Sequence, residues 1–187
     1  MQDEFPKFFK TKIGKLMKPR FEEVIKRINK LTDEDMKQKT PIQLYLSAVE
    51  ELGELTREIK IEEKVPGNAH KQPDEGSKAE AVDLFICAVC RIRSLEITEN
   101  LIPKNDNFSF AWQGNHNNVF DLLELCAINL GKSVGCETSY IKREAAIDLG
   151  QQAINIFLNR DGNSYEEFIK ICHRKLDKWE KTKGIIK

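Results

Sequence analysis

The run AVDLFICAVC, residues 81–90, contains one charge, Asp83, among side chains that are otherwise apolar. As a helix it would be apolar round its whole circumference, so it must be buried on several sides and needs helical neighbours on more than one of them. Asp83 then stands where a carboxylate is costly unless it is paired or bound to a metal. Glu80, three residues earlier, shares its face. A second acidic group lies in AVEELGELTREI, residues 48–59. On a helix advancing about 100° per residue, Glu50, Glu51 and Glu54 fall within an arc of about 100°, while Leu52, Leu55 and Ile59 point the opposite way, towards a core. Hard oxygen ligands with no His or Cys among them suit Mg²⁺, with Mn²⁺ as the other candidate, and not zinc.

The rest of the chain reads as helical. Residues 19–31 repeat apolar positions at Phe21, Val24, Ile25, Ile28 and Leu31, a helix opened by Pro19. Residues 40–62 form the first acidic helix, with Thr40 as N-cap and Pro41 at its first position. VPGNAHKQPDEGS is a loop, and Ser77 is placed to cap a helix over about 78–97. The spacing Ser77…Glu80 also reads as a capping box, which would account for Glu80 without any site but leaves Asp83 unexplained. A long polar connection over 98–118 carries Phe110 and Trp112, and helices follow over about 119–133, 140–159 and 164–182, the last capped by Ser164. The expected fold class is all-α, in a single domain.

Glu50-Glu51-x-x-Glu54, twenty-five intervening residues and Glu80-x-x-Asp83 together resemble the EExxE…ExxD pattern of the all-α NTP pyrophosphohydrolases, the superfamily of MazG, dCTP pyrophosphatase and the dimeric dUTPases. The resemblance covers residues 35–97 well and 164–182 more weakly, about half of the chain. It implies a four-helix-bundle-like, MazG-type core over about 19–97 plus 164–182, with additional helices over about 119–159. It also implies Mg²⁺-dependent hydrolysis of (deoxy)nucleoside triphosphates to monophosphate and pyrophosphate, in nucleotide-pool cleaning. On this reading Glu51, Glu54, Glu80 and Asp83 are metal ligands, and Glu50 positions or deprotonates the water. The family's final helix carries a Lys and then an Asn. Lys175 stands for the Lys, but Trp179 sits at the place expected for the Asn. The same resemblance implies a homodimer or larger homo-oligomer, because the family completes its bundle by pairing subunits.

The additional helices suggest a worn second copy, AINLGKSV beside AVEELGEL and AIDLGQQAI beside AVDLFICAV. In that alignment Asn129 replaces Glu51, Lys132 replaces Glu54, and Asp148 keeps the acid of Asp83. Such a half could hold no metal alone, but it could fill the place of a neighbouring subunit's helices and give a monomer.

Phosphates also need cations. Lys78 lies one turn from the second acidic pair, the loop offers His70 and Lys71, and the stretch from Arg174 to Lys187 has six basic residues against two acidic ones. Lys175 and Lys178 are its phosphate-binding candidates, and Trp112, Phe110 or Trp179 could stack on a base. Thirty basic and thirty acidic side chains cancel, so no nucleic-acid partner is implied, and no stretch has the apolar length of a membrane span. A cytoplasmic protein is the expectation. Five cysteines in no framework spacing, with Cys87 and Cys90 inside the apolar helix, read as small buried hydrophobes. Two alternatives remain open: a solvated acidic stripe paired with Arg57 and Lys60, and a catalytically inactive interaction or regulatory protein on the same fold. A ferritin-like di-iron centre is disfavoured because no E-x-x-H exists.

Overall fold

A computed structural model describes residues 12–67, 76–101, 110, 118–160 and 164–185, with side chains from residue 19 onward. Among the described residues are six α-helices and no strand: α1 (Lys12–Asp35), α2 (Pro41–Glu62), α3 (Ser77–Thr98), α4 (Val119–Gly135), α5 (Ser139–Leu158) and α6 (Tyr165–Thr182). The all-α class expected from periodicity is the class observed.

Local chemistry accounts for most of the boundaries. Pro41 starts α2, and the Thr40 backbone N–H donates to Gln43 Oε1 at 2.8 Å. Ser164 Oγ accepts the Glu167 N–H at 3.2 Å and so caps α6. Two expected boundaries need correction. Pro19 does not open α1; the helix begins at Lys12 and runs through the proline, at the cost of one backbone hydrogen bond. Nor does Ser77 cap α3. Gly76 is the N-cap, while the Ser77 N–H and hydroxyl donate to the Glu62 carboxylate at 2.9 and 2.6 Å. With Ser77 engaged by Glu62, no capping box holds Glu80, whose carboxylate is left for the interior.

Glu62 closes α2 and Ser77 opens α3, so their bonds make the two helices an antiparallel hairpin. The three-residue link 136–138 makes a second hairpin of α4 and α5. The hairpins meet through α3 and α5, which cross where Gly150 lies against Ala88 and Phe110. Arg91 of α3, itself buried, donates to the Ser133 carbonyl at 2.7 Å and fastens the end of α4. α3 also packs against α1 and α6. It is buried along nearly its whole length, as its composition requires. Phe85 sits at the centre of the core, its ring centroid 5.2 Å from both Phe110 and Phe168 and 5.8 Å from Phe21. Phe110 is therefore a core residue here and not a base-stacking one. α6 lies along α1, where Arg27 donates to Asp177 at 2.7 Å and to Glu180 at 2.8 Å.

The α3–α5 crossing yields a paired prediction. A Cβ at Gly150 would lie 2.7 Å from the Phe110 ring, whereas one at Gly131, in the interior of α4, meets nothing within 4 Å. Gly150→Ala should destabilise by about 1–3 kcal/mol of overpacking, less about 1 kcal/mol gained from helix propensity. Gly131→Ala keeps only the gain. Urea midpoints should move in opposite directions for the two variants; a rise in both shows that the Phe110 ring yields freely.

Candidate functional site

The end of α1, the middle of α2, the first half of α3 and the second half of α6 enclose a cleft of about 400 Å³. Glu51 and Glu54 enter it from α2, and Glu80 and Asp83 from α3. Each pair of acids is three residues apart, which puts both members on one face of its helix, and the antiparallel hairpin turns the two faces towards each other. Glu51, Glu54 and Glu80 each offer a carboxylate oxygen within 4.8 Å of the other two. Glu80 is only 3% exposed.

Carboxylates at such spacing repel, and burial removes the water that would screen them. Glu51 bears the result: burial foremost, then the charges of Asp83, Glu80 and Glu54, push its carboxyl up to about 8, against which Lys175 acts in the lowering direction. Lys175 reaches across from α6 to form an ion pair with Asp83, the two side chains 10% and 20% exposed. Lys178 and Trp179 continue the same wall.

The floor of the cleft contains groups that pattern reading missed. Asp35, 4% exposed, is held by Lys39 at 2.8 Å and by Lys183, whose ammonium also lies 5.8 Å from the Trp179 ring centroid. Asp35 and Lys39 are four residues apart, a usable signal, but they fall beyond residue 31, the expected end of α1, which in fact runs on to Asp35. Cys87 and Cys90 also line the cleft. Burial raises both thiols, Cys90 to about 12, so neither is a thiolate nucleophile.

Some expected site residues lie elsewhere. Glu50 is exposed on α2 and does not line the cleft. Lys78 lines a separate hollow with Ser77, Arg160 and Arg174 and pairs with Glu167 at 3.6 Å. Trp112, His70, Lys71 and Lys187 lie outside the described residues. In the suspected second copy Asn129 is buried while Lys132 and Asp148 are exposed, and the only acidic group of metal-binding geometry among the described residues is Glu51, Glu54 and Glu80.

An all-oxygen donor set, drawn from two rigid helices and under mutual repulsion, fits a hard divalent cation, which would relieve the repulsion. An ammonium-bearing wall facing those acids fits a polyanion carrying such a cation. No protein-family model matches this chain, and neither does any curated protein or solved structure.

Glu51 sets a pH dependence of stability. Its folded-state carboxyl, at about 8, lies above the ordinary value of 4.5. Between those values the folded protein keeps a proton that the unfolded chain has released, so stability falls as pH rises through the window. In the presence of a chelator, urea midpoints should decline from about pH 5 to about pH 8 in the wild type. Glu51→Gln should flatten that decline; an unchanged slope in the variant places the titrating group elsewhere.

Proposed function

We propose that the protein hydrolyses nucleoside triphosphates to monophosphate and pyrophosphate with Mg²⁺, Mn²⁺ serving as substitute, and is an NTP pyrophosphohydrolase of the MazG-like kind that acts in nucleotide-pool cleaning. One observation carries this reading: Glu51, Glu54 and Glu80 converge from two helices opposite a wall that bears Lys175 and Lys178. A structural helix pair has no reason to hold carboxylates at that spacing, because each raises the cost of ionising the next.

Glu51, Glu54, Glu80 and Asp83 would hold the cation, which when bound neutralises phosphate charge and lowers the pKa of water. The chain's own residues do the remainder. Lys175 and Lys178 present ammonium groups as point charges for phosphate oxygens. Trp179, on the same wall one residue beyond Lys178, offers an aromatic face for the base or sugar. Buried α3 keeps the carboxylates fixed, so little reorganisation attends binding. The exposure of Glu50 supports no direct part for it in the chemistry.

A second reading, a helical regulatory protein without turnover, has Trp179 in its favour, standing where the family pattern expects Asn. The test is a panel of NTPs and dNTPs with Mg²⁺, scoring pyrophosphate release. Glu54→Gln, Glu80→Gln and Asp83→Asn should each lower turnover at least a hundredfold, about 2.7 kcal/mol of transition-state stabilisation. Glu50→Gln should stay within about threefold of wild type. Release that survives a chelator, or Glu54→Gln at full rate, removes the site. No release from any nucleotide favours the regulatory reading.

Assembly follows from the same packing. A homodimer is the family's way of covering an all-round apolar helix, but here α5, α2, α1 and α6 already cover α3 within the chain, and α4 packs on α5. We therefore favour a MazG-type bundle completed internally, with the α4–α5 hairpin in the place of a partner's helices. Light scattering at micromolar concentration should give one species of 21.6 kDa. A stable species of twice that mass restores the homodimer, with exposed Ile42, Leu46 and Val49 on α2 as its apolar contact.

A further inference from the structure

Lys175 occupies an unusual place for a phosphate-binding group. Its ammonium is already spent on Asp83, a carboxylate on the same face of α3 as Glu80, and both partners are largely buried. Its field reaches Glu51 as well. A cation drawing on all four acids must therefore compete with an ammonium that the protein itself supplies. A triphosphate changes that competition, because its oxygens are an alternative partner for the same ammonium, at the mouth of the same cleft.

The helix that carries Lys175 is not free to swing away. Leu176 and Cys172 beside it are in the core, Arg27 grips Asp177 and Glu180, and Lys183 grips Asp35. An exchange of partners must then occur by rotation of the four-carbon lysine stem, which permits it, whereas a planar guanidinium would be less adaptable.

We propose that Lys175 is an exchangeable counter-ion: it holds Asp83 in the nucleotide-free protein and passes to a phosphate oxygen of an incoming triphosphate, freeing Asp83 for the divalent cation. This rests on the metal-dependent reading above. Nucleotide and cation then raise each other's affinity by the same factor, as linkage requires. The cation alone binds weakly, since it meets an ammonium in the site. Lys175 acts on cation binding as a positioning residue, through Asp83.

Calorimetric titration of the whole protein with Mn²⁺, at one fixed pH for all variants, tests this without any turnover. Lys175→Met should bind Mn²⁺ alone at least tenfold more tightly than wild type, because the internal competitor is gone. Lys78→Met removes a cation that lies in the separate hollow against Glu167, and should change Mn²⁺ affinity less than threefold. A non-hydrolysable triphosphate analogue should tighten Mn²⁺ binding to the wild type at least tenfold more than it does to Lys175→Met. Lys175→Gln is the second variant, expected to shift in the same direction should the methionine variant fold poorly. Mn²⁺ affinity in both Lys175 variants equal to or weaker than wild type overturns the exchange while leaving the metal site standing. Wild-type protein that takes up no Mn²⁺, with or without the analogue, overturns the metal reading itself.

Discussion

Four carboxylates face one another across a single cleft, and the helix that carries two of them is otherwise a core element. α3 cannot be moved to relieve the repulsion, because Leu84, Phe85, Ala88, Val89 and Ile92 are sealed among the other helices. The acids must therefore be accommodated by what the cleft contains: a proton on Glu51, an ammonium on Asp83, and room for a cation between Glu51, Glu54 and Glu80. Each arrangement costs something that a binding event can return. That is the physical ground on which the cleft is proposed as a site.

The remaining helices serve the position of α3. α2 is tied to its start through Glu62 and Ser77, α4 to its later turns through Arg91, and α1 through Arg93, which bonds Asp33 at 2.8 Å. α6 is fixed against α1 by the Arg27 network and so presents Lys175 and Lys178 at a constant height over the acids. A chain with no net charge can build so local a field because its like charges are segregated by helix face rather than by composition.

Much of this was legible in the sequence. Pro41 and Ser164 mark helix starts by their own chemistry, and the apolar circumference of residues 81–90 announces a central helix. The acidic pairs could be placed on common faces by spacing alone. Less legible was anything that depends on how far a helix runs or which way it is turned. Glu50 is adjacent to Glu51, and adjacent residues on a helix lie about 100° apart, so only one of them could face the cleft. Choosing Glu51 required knowing where α3 lies. Ser77 has the chemistry of a cap, but Glu62, fifteen residues earlier, offers its hydroxyl and N–H a charged acceptor, a long-range contact that no local pattern records. Lys183 meets Asp35 only because α1 and α6 run side by side to their ends. Lys78 sits a short step from Glu80 in sequence yet faces Glu167, since residues two positions apart on a helix lie about 200° from each other.

The central claim is that the carboxylates of α2 and α3 share a divalent cation, and a direct image of that cation tests it most closely. Crystals soaked with Mn²⁺ and a non-hydrolysable triphosphate analogue should give an anomalous difference peak about 2.0–2.2 Å from carboxylate oxygens of Glu51, Glu54 and Glu80, distances usual for a small hard cation. Asp83 should have turned from Lys175 towards the peak. A manganese ion bound only elsewhere on the protein, with the Asp83–Lys175 pair intact and no density between the three glutamates, would contradict the account.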